Sequence, residues 1–331
     1  MKKIITGIAA LAMLTSVFAV DFTAGFQLKG DVLSYDGNSK NIDVFKLSHE
    51  NTKDDKPFIF SVSSEKAGGT LKFYDDATGD IVANYWNIWF KPLDMLKVDL
   101  GNHDTKLNCE SITWWRGKVL ATSDWGIKAT FNFDALSISA MLNAANGTYW
   151  ASKPNGGDLA LGETALYASY GADFGTISAL FVAKDTFENI AIGAGYKNTF
   201  GSITMFADAA FTYVKDGFNS IDVDADVKYA QDALSAEAYV KWTAADIENI
   251  KKDTMTIMAQ AKLGYNVAGG QLYVKFVDLD ILNFMDGGNL NQLELGFDGN
   301  MGTASYEIGA KLETVNGKIK FSVPFWVRLG F

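Results

Sequence analysis

The chain has 331 residues, of which 48% are hydrophobic, and its formal net charge at pH 7 is −10. Such an acidic chain is a poor partner for nucleic acid, and its single cysteine, Cys109, cannot form an intrachain disulfide. Beyond the amino-terminal region, no run approaches the roughly 20 apolar residues that a transmembrane helix needs. Any membrane-spanning structure must therefore use strands, in which apolar and polar residues alternate.

The first 19 residues have the three parts of a secretory signal peptide. Lys2 and Lys3 are basic, residues 4–14 are mostly apolar, and a short stretch with small residues ends at Ala19. We expect cleavage after Ala19. One domain should follow over residues 20–331, since the chain has only four prolines and no long polar linker.

Alternation of apolar and polar residues begins at Phe22 and recurs along the chain. It is clearest over residues 202–213, 221–229 and 234–243. The apolar side of these segments is rich in Ala and Val, with aromatic residues towards the ends, as in lipid-facing strands between aromatic girdles. A soluble sheet also alternates, but its core side is expected to hold Ile, Leu and Phe. These segments therefore predict membrane-spanning strands.

Short and long connections alternate between the strands, as periplasmic turns and external loops do in outer-membrane barrels. Because lipid offers no hydrogen bonds to backbone groups, the sheet must close into a barrel, whose wide lumen would hold water. We predict an all-β, antiparallel up-and-down transmembrane β-barrel of 18 strands, with 16 left open because residues 31–78 are poorly patterned. Short turns are predicted at residues 91–93, 133–135, 173–175, 198–201, 231–233, 268–270 and 299–302, and long loops at 102–123, 146–162, 244–253 and 279–288.

The long loop over residues 102–123 contains a cluster of aromatic and basic residues, namely Trp114, Trp115, Arg116 and Lys118. One hypothesis places this cluster inside the lumen as a constriction, where the rings stack on solutes and the cations bind anionic groups. The other places it in an aromatic girdle or in loop packing at the membrane edge, where Trp is enriched. Both hypotheses stay open.

The polar side of the later strands supplies candidate pore-lining residues. Asp222, Asp224 and Asp226 match the opening of a calcium loop, but the glycine and the terminal glutamate of that loop are missing. We therefore predict a row of lumenal carboxylates with no metal, which favours a modest preference for cations. The predicted pore-lining residues are Asp222, Asp224, Asp226, Lys228, Glu237, Lys241, Lys262 and Glu294.

The last thirteen residues predict a closing membrane strand. Apolar residues occupy every odd position from Ile319 to the terminal Phe331, and mostly polar or small residues occupy the even positions. Pro324 lies inside this strand and removes a backbone donor, so we expect a bulge or an open seam beside it.

Two segments carry a resemblance to known families. The ending at Phe331 resembles the assembly signal of bacterial outer-membrane β-barrels, which the barrel-assembly machinery reads. Residues 85–102, YWNIWFKPLDMLKVDLGN, and the following WWRGKVLATSDWGIKATF resemble porin-like outer-membrane proteins of spirochaetes, particularly of the treponeme type. The resemblance implies a bacterial outer-membrane barrel surrounded by lipid, with a short turn at the KPLD-like element.

Catalytic motifs are lacking. His49 and His103, the two histidines, fall in predicted external loops without a recognisable Ser or Cys motif. Gly193 and Gly195 lack the third glycine and the helix of a nucleotide-binding loop, so we place them on the polar side of a strand. We expect no enzymatic activity and no cofactor.

These observations favour a passive diffusion porin that passes small hydrophilic solutes across the bacterial outer membrane. Outer-membrane lipid, the barrel-assembly machinery and the solutes are the expected partners, and a homo-oligomer is left open. The main alternative is a surface-exposed adhesin or structural barrel that binds host or matrix molecules through its external loops. A third alternative is a soluble secreted β-protein.

Overall fold

The protein is described here from a computed structural model. The structure describes residues 19–23, 25–37, 42–48, 58–75, 81–109, 112, 119–144, 151–152, 160–184, 187–283, 291–315 and 317–330. Most of the predicted signal peptide, the cluster from Trp114 to Lys118, His49 and Phe331 lie outside these residues.

The described residues form strands joined by turns, loops and two short 3-10 helices, Lys252–Thr254 and Ile281–Asn283. The first eleven strands are β1 Ala19–Thr23, β2 Gly25–Tyr35, β3 Asp43–Ser48, β4 Phe58–Ser63, β5 Ala67–Asp75, β6 Ile81–Leu93, β7 Leu96–Lys106, β8 Ala121–Phe133, β9 Leu136–Asn143, β10 Ala151–Ser152 and β11 Ala160–Leu161. The others are β12 Thr164–Ala172, β13 Gly175–Lys184, β14 Asn189–Phe200, β15 Ile203–Val214, β16 Ser220–Gln231, β17 Leu234–Ala244, β18 Met255–Val267, β19 Gly270–Asp278, β20 Asn291–Met301, β21 Ala304–Val315 and β22 Lys318–Gly330. No helix among the described residues is long and apolar enough to cross a membrane.

Twenty of these strands form one antiparallel sheet, and β10 and β11 form a small separate hairpin. Consecutive strands pair from β4 to β9 and from β12 to β22, and β9 pairs with β12 across the hairpin. At the ends of the chain, β22 pairs with β2, β2 with β3, and β1 with β4. The predicted all-β, antiparallel architecture is therefore confirmed.

The predicted strand number, 18 with 16 as the alternative, is wrong, because the sheet contains 20 strands. The additional strands arise in the amino-terminal region, where the alternation is weakest. Residue 24 separates β1 from β2, and residues 49–57 separate β3 from β4. In this region β3 pairs with β2 and β4 pairs with β1, and the weak sequence pattern did not separate these strands.

Six of the seven predicted short turns are confirmed, in the connections from β8 to β9, β12 to β13, β14 to β15, β16 to β17, β18 to β19 and β20 to β21. The connection from β6 to β7 is also short. The first turn lies at residues 94–95 and not at 91–93, because β6 extends to Leu93. The longest of the predicted loops also begins later than expected, since residues 102–106 belong to β7.

The two faces of the sheet differ in polarity, as the alternation predicts. Along β16 and β17, the side chains of Val223, Val227 and Val240 are exposed, whereas Asp224 and Tyr239 on the opposite face are buried. We call the first face the apolar face and the second the charged face. Trp326 of the closing strand also lies on the charged face, where its indole Nε1 donates a hydrogen bond to Glu307 Oε2 at 2.9 Å.

The sheet is strongly curved, with the charged face on the concave side. Lys106 ends β7, and three residues later the amide of Cys109 donates a hydrogen bond to Asp208 Oδ2 on β15, at 2.6 Å. Six strand pairings separate β7 from β15, which would span about 29 Å in a flat sheet. Three extended residues reach only about 10 Å, so the sheet must bring these strands towards each other.

The irregularity predicted at Pro324 is confirmed. Asp31 of β2 faces Pro324, but Ser34 faces Ser322, so β2 has one more residue than β22 between these two pairs. A proline lacks the backbone N–H that the ladder needs, and the extra residue in the partner strand accommodates the missing bond.

Candidate functional site on the charged face

The eight predicted pore-lining residues lie on one face of four strands. Asp222, Asp224, Asp226 and Lys228 come from β16, Glu237 and Lys241 from β17, Lys262 from β18, and Glu294 from β20. Their positions alternate with exposed apolar residues, which places them together on the charged face. Cross-strand register then aligns Lys228 with Glu237 and Glu237 with Lys262.

Lysines compensate much of this row of carboxylates. Lys228 Nζ lies 2.9 Å from Glu237 Oε1 and 3.3 Å from Asp226 Oδ2, and Lys241 Nζ lies 2.9 Å from Asp222 Oδ1. The side chain of Asp226 is fully buried, and neither of its oxygens has hydrogen-bond geometry to a described residue. The contact from Lys228 is thus an ion pair without a formed hydrogen bond.

A second polar network lies around Tyr273 of β19. Its hydroxyl is 2.7 Å from Glu294 Oε1 and 2.6 Å from Glu307 Oε1, although it carries a single hydrogen to donate. Lys275 Nζ lies 2.7 Å from Glu294 Oε2, and Lys262 Nζ lies over the Tyr273 ring at 4.5 Å. The two networks therefore hold buried carboxylates with different partners, since Asp226 lies near Lys228 and Glu294 contacts Lys275 and Tyr273.

A short segment after β7 folds onto the charged face. We call Leu107, Asn108 and Cys109 the docked segment. Leu107 packs in a buried cluster, and the Asn108 side-chain amide donates to Ser178 Oγ of β13 at 2.8 Å. The other buried members of the cluster are Met141, Ala165, Leu180 and Val182. The start of the long loop therefore extends across the concave side of the sheet.

Two glycines of β14 leave room for the docked segment. A Cβ atom at Gly193 would lie 2.8 Å from Leu107 Cδ1, and a Cβ atom at Gly195 would lie 2.7 Å from Asn108 Nδ2 and would also overlap Asp208. Both glycines lie on the charged face, as predicted from their strand positions. Their missing side chains allow the segment to approach the strand closely.

Cys109 is a free, buried thiol between two carboxylates. One ligand-type atom from each of Cys109, Asp208 and Asp224 lies within 4.8 Å of the other two. Burial raises the pKa of the Cys109 thiol well above its usual value, and the negative charges of Asp224 and Asp208 raise it further. The hydroxyl of Tyr239 donates to Asp224 Oδ2 at 2.9 Å.

A cavity of about 400 Å³ adjoins the docked segment. Lys197 and Lys228 both approach the Phe206 ring there, with each Nζ at 5.4 and 5.7 Å from the ring centroid. The cavity is lined by Lys106, Leu107, Asn108, Lys197, Phe206, Asp226 and Lys228. The charged face is thus locally rich in lysine beside its buried carboxylates.

His103 was predicted to lie in an external loop, and this prediction is wrong. The residue lies within β7 and is 8% exposed. The strand continues through residues 102–106 because these residues pair with β8. Asp208 and Tyr239 lie on the charged face, as the alternation over residues 202–213 and 234–243 predicts, although neither was among the predicted pore-lining residues. The structure adds Tyr273 to this face and shows the contacts of all three residues.

Comparisons with known proteins identify the fold. No protein-family model matches the chain, and no curated protein matches it. Among solved structures, OprD from Pseudomonas aeruginosa has a TM-score of 0.55 and 10% identity, with 95% of each chain covered. The outer membrane protein opdK from the same organism has a TM-score of 0.55 and 11% identity, over 94% of this chain and 98% of that one.

A loop-deletion mutant of OmpT, an outer membrane protein of Vibrio cholerae, has a TM-score of 0.50 and 11% identity, over 95% of this chain and all of that one. The chain therefore has the strand-built fold of these outer-membrane proteins. The particular resemblance to spirochaete proteins gains no support, since these structures come from Pseudomonas and Vibrio.

Proposed function

We propose that the protein is a bacterial outer-membrane porin through which small hydrophilic solutes diffuse passively. One observation carries the proposal, namely a single strongly curved antiparallel sheet with an exposed apolar face and a concave charged face. An apolar convex face suits lipid, and a charged concave face suits a water-filled lumen. The fold shared with outer-membrane proteins supports the same assignment.

The proposal requires the sheet to close into a barrel. The strand pairings support closure, because β22 pairs with β2, β4 pairs with β1, and only residue 24 lies between β1 and β2. The two ends of the sheet, at β1 and β2, are therefore adjacent along the chain. Closure is also expected on energetic grounds, since an open edge in lipid leaves backbone groups without hydrogen bonds.

The docked segment supports a constriction formed by the loop over residues 102–123. Its three residues already cross the concave side of the sheet to β13 and β15. Trp114, Trp115, Arg116 and Lys118 lie outside the described residues, and for them the constriction hypothesis and the aromatic-girdle hypothesis both stay open. The eight residues of the predicted row, from Asp222 to Glu294, would line the pore.

A weak preference for cations accompanies this proposal, because carboxylates outnumber lysines on the described charged face of β15 to β20. The carboxylates are Asp208, Asp222, Asp224, Asp226, Glu237, Glu294 and Asp298, and the lysines are Lys228, Lys241, Lys262 and Lys275. The lysines around the cavity act in the opposite direction, so the preference should be small.

Localisation and assembly follow from the termini. We propose that residues 1–19 direct secretion and are removed, and that residues 20–331 form the barrel. The closing strand up to Phe331 would be recognised by the barrel-assembly machinery. The protein would then lie in outer-membrane lipid and act as a channel, not as an enzyme.

Single-channel recording in planar lipid bilayers tests the proposal. Purified, folded protein should produce stepwise current increases, and its gel mobility should change on heating as expected for a folded barrel. The heat-denatured protein is the matched control and should produce no steps. A folded protein without stepwise current would contradict the porin proposal and favour an adhesin or structural barrel.

A further inference from the structure

Two buried carboxylates face each other on the charged face. Asp208 of β15 and Asp224 of β16 are directly opposite in the cross-strand register and are 3% and 1% exposed. Like charges in this arrangement destabilise a sheet, and buried charges need a compensating partner. Cys109, which is 2% exposed, lies against both residues.

The hydrogen bonds around this pair do not satisfy it. The Cys109 amide donates to Asp208 Oδ2, and the Tyr239 hydroxyl donates to Asp224 Oδ2. The second oxygen of each carboxylate, Asp208 Oδ1 and Asp224 Oδ1, is buried and has no hydrogen-bond partner among the described residues. Each of the two facing carboxylates therefore keeps one buried acceptor atom that these donors do not reach.

Nearby lysines are shared with other carboxylates. Lys241 forms an ion pair with Asp222, and Lys228 lies closer to Glu237 than to Asp226. Asp226, two residues after Asp224, adds a further buried carboxylate to this side of the strand. Lysines line the adjoining cavity, but Asp208 and Asp224 are buried and each keeps one oxygen without a hydrogen-bond partner among the described residues, so a bound cation would compensate for them.

We infer that Cys109, Asp208 and Asp224 bind one divalent transition-metal ion, with Zn²⁺ as the best match. Their ligand atoms lie within 4.8 Å of one another. Zinc takes sulfur at about 2.3 Å and carboxylate oxygen at about 2.0–2.2 Å, so modest side-chain shifts would close the site. The thiolate disfavours Ca²⁺ and Mg²⁺, which prefer oxygen ligands, and three protein ligands leave a fourth position for water.

The ion would link the docked segment to strands β15 and β16 of the sheet. Cys109 belongs to the segment, whereas Asp208 and Asp224 belong to two neighbouring strands, so one ion would join three parts of the chain. On binding, the thiol proton would leave to solvent and the thiolate would coordinate the metal. No metal was predicted from Asp222, Asp224 and Asp226, which follow one another along a single strand, whereas this site is built from the docked segment and two strands.

Equilibrium dialysis tests the inference. The untagged full-length chain is reduced, stripped with a chelator, kept in detergent and dialysed against Zn²⁺ before metal analysis. Wild type should retain one Zn²⁺ per chain, and Cys109→Ser and Asp208→Asn should each lose it. Glu313→Gln, which removes a carboxylate paired with Lys311 elsewhere on the charged face, should bind as wild type does.

Cadmium provides a second readout that depends on the thiolate itself. Cd²⁺ should give a thiolate-to-metal ultraviolet absorption band in wild type and Glu313→Gln but not in Cys109→Ser, with heat-modifiable mobility showing that each variant is folded. No stoichiometric Zn²⁺ in folded wild type, or equal binding by Cys109→Ser, would overturn the site. Because binding is measured without any current, its failure is distinguishable from a failure of the porin proposal.

Discussion

Substitution of Leu107 by alanine should release the docked segment from the charged face. Burial of the Leu107 side chain contributes about 2.5 kcal/mol to docking. The Asn108–Ser178 hydrogen bond adds about 1 kcal/mol, and the bond from the Cys109 amide to the Asp208 carboxylate adds about 2 kcal/mol. Ordering the backbone of three residues costs about 4.5 kcal/mol. Docking of the metal-free segment is therefore favoured by only about 1 kcal/mol.

This balance corresponds to a docked-to-released ratio of about 5 to 1. Truncation of a buried leucine to alanine removes at least about 2 kcal/mol, so the Leu107→Ala ratio should invert to about 1 to 5. The strands do not depend on Leu107 for their hydrogen bonds. Thermal unfolding of the sheet should therefore change much less than the position of the segment.

Single-channel recording of metal-free protein in planar bilayers measures the effect. Wild type should spend most of its time at a lower conductance with brief steps to a higher one, and Leu107→Ala should occupy mainly the higher level. Leu166→Ala makes the same truncation on the apolar face, where Leu166 is exposed, and should behave as wild type. Unchanged level occupancy in folded Leu107→Ala would refute a constriction by the docked segment.

Three further predictions concern the same face. Gly195→Val should lower the free energy of unfolding by about 1–3 kcal/mol through overpacking, whereas Gly171→Ala, with no heavy neighbour closer than 3.9 Å, should be nearly neutral in denaturant titrations. In a KCl gradient the reversal potential should show a weak cation preference that falls in Asp222→Asn, and a clear anion preference would contradict it. In metal-free protein at neutral pH, Cys109 should react slowly with iodoacetamide until denaturation, because burial shields the thiol and raises its pKa. Fast alkylation of the folded protein would show that the segment is not docked.

Much of the fold was predictable because the alternation of side chains along a strand depends only on neighbouring residues. Successive side chains point to opposite faces of a strand, so Val223 and Val227 must lie on the face opposite Asp224 and Asp226. The same rule placed Gly193 and Gly195 on the charged face and identified the short turns. It failed between residues 31 and 78, where weak alternation did not reveal the bounds of β3, β4 and β5.

The sequence by itself determined the class of structure, since its period-two alternation specifies strands with one apolar and one charged face. Only the tertiary structure decided which charged residues meet. Cys109 and Asp208 are 99 residues apart, and their contact depends on the curvature of the whole sheet and on the space left by Gly195. The burial of His103 likewise depends on where β7 ends, because pairing with β8 extends the strand into the predicted loop. Side-chain periodicity depends only on neighbouring residues, whereas the curvature of the sheet and the docking of the loop depend on the arrangement of many strands.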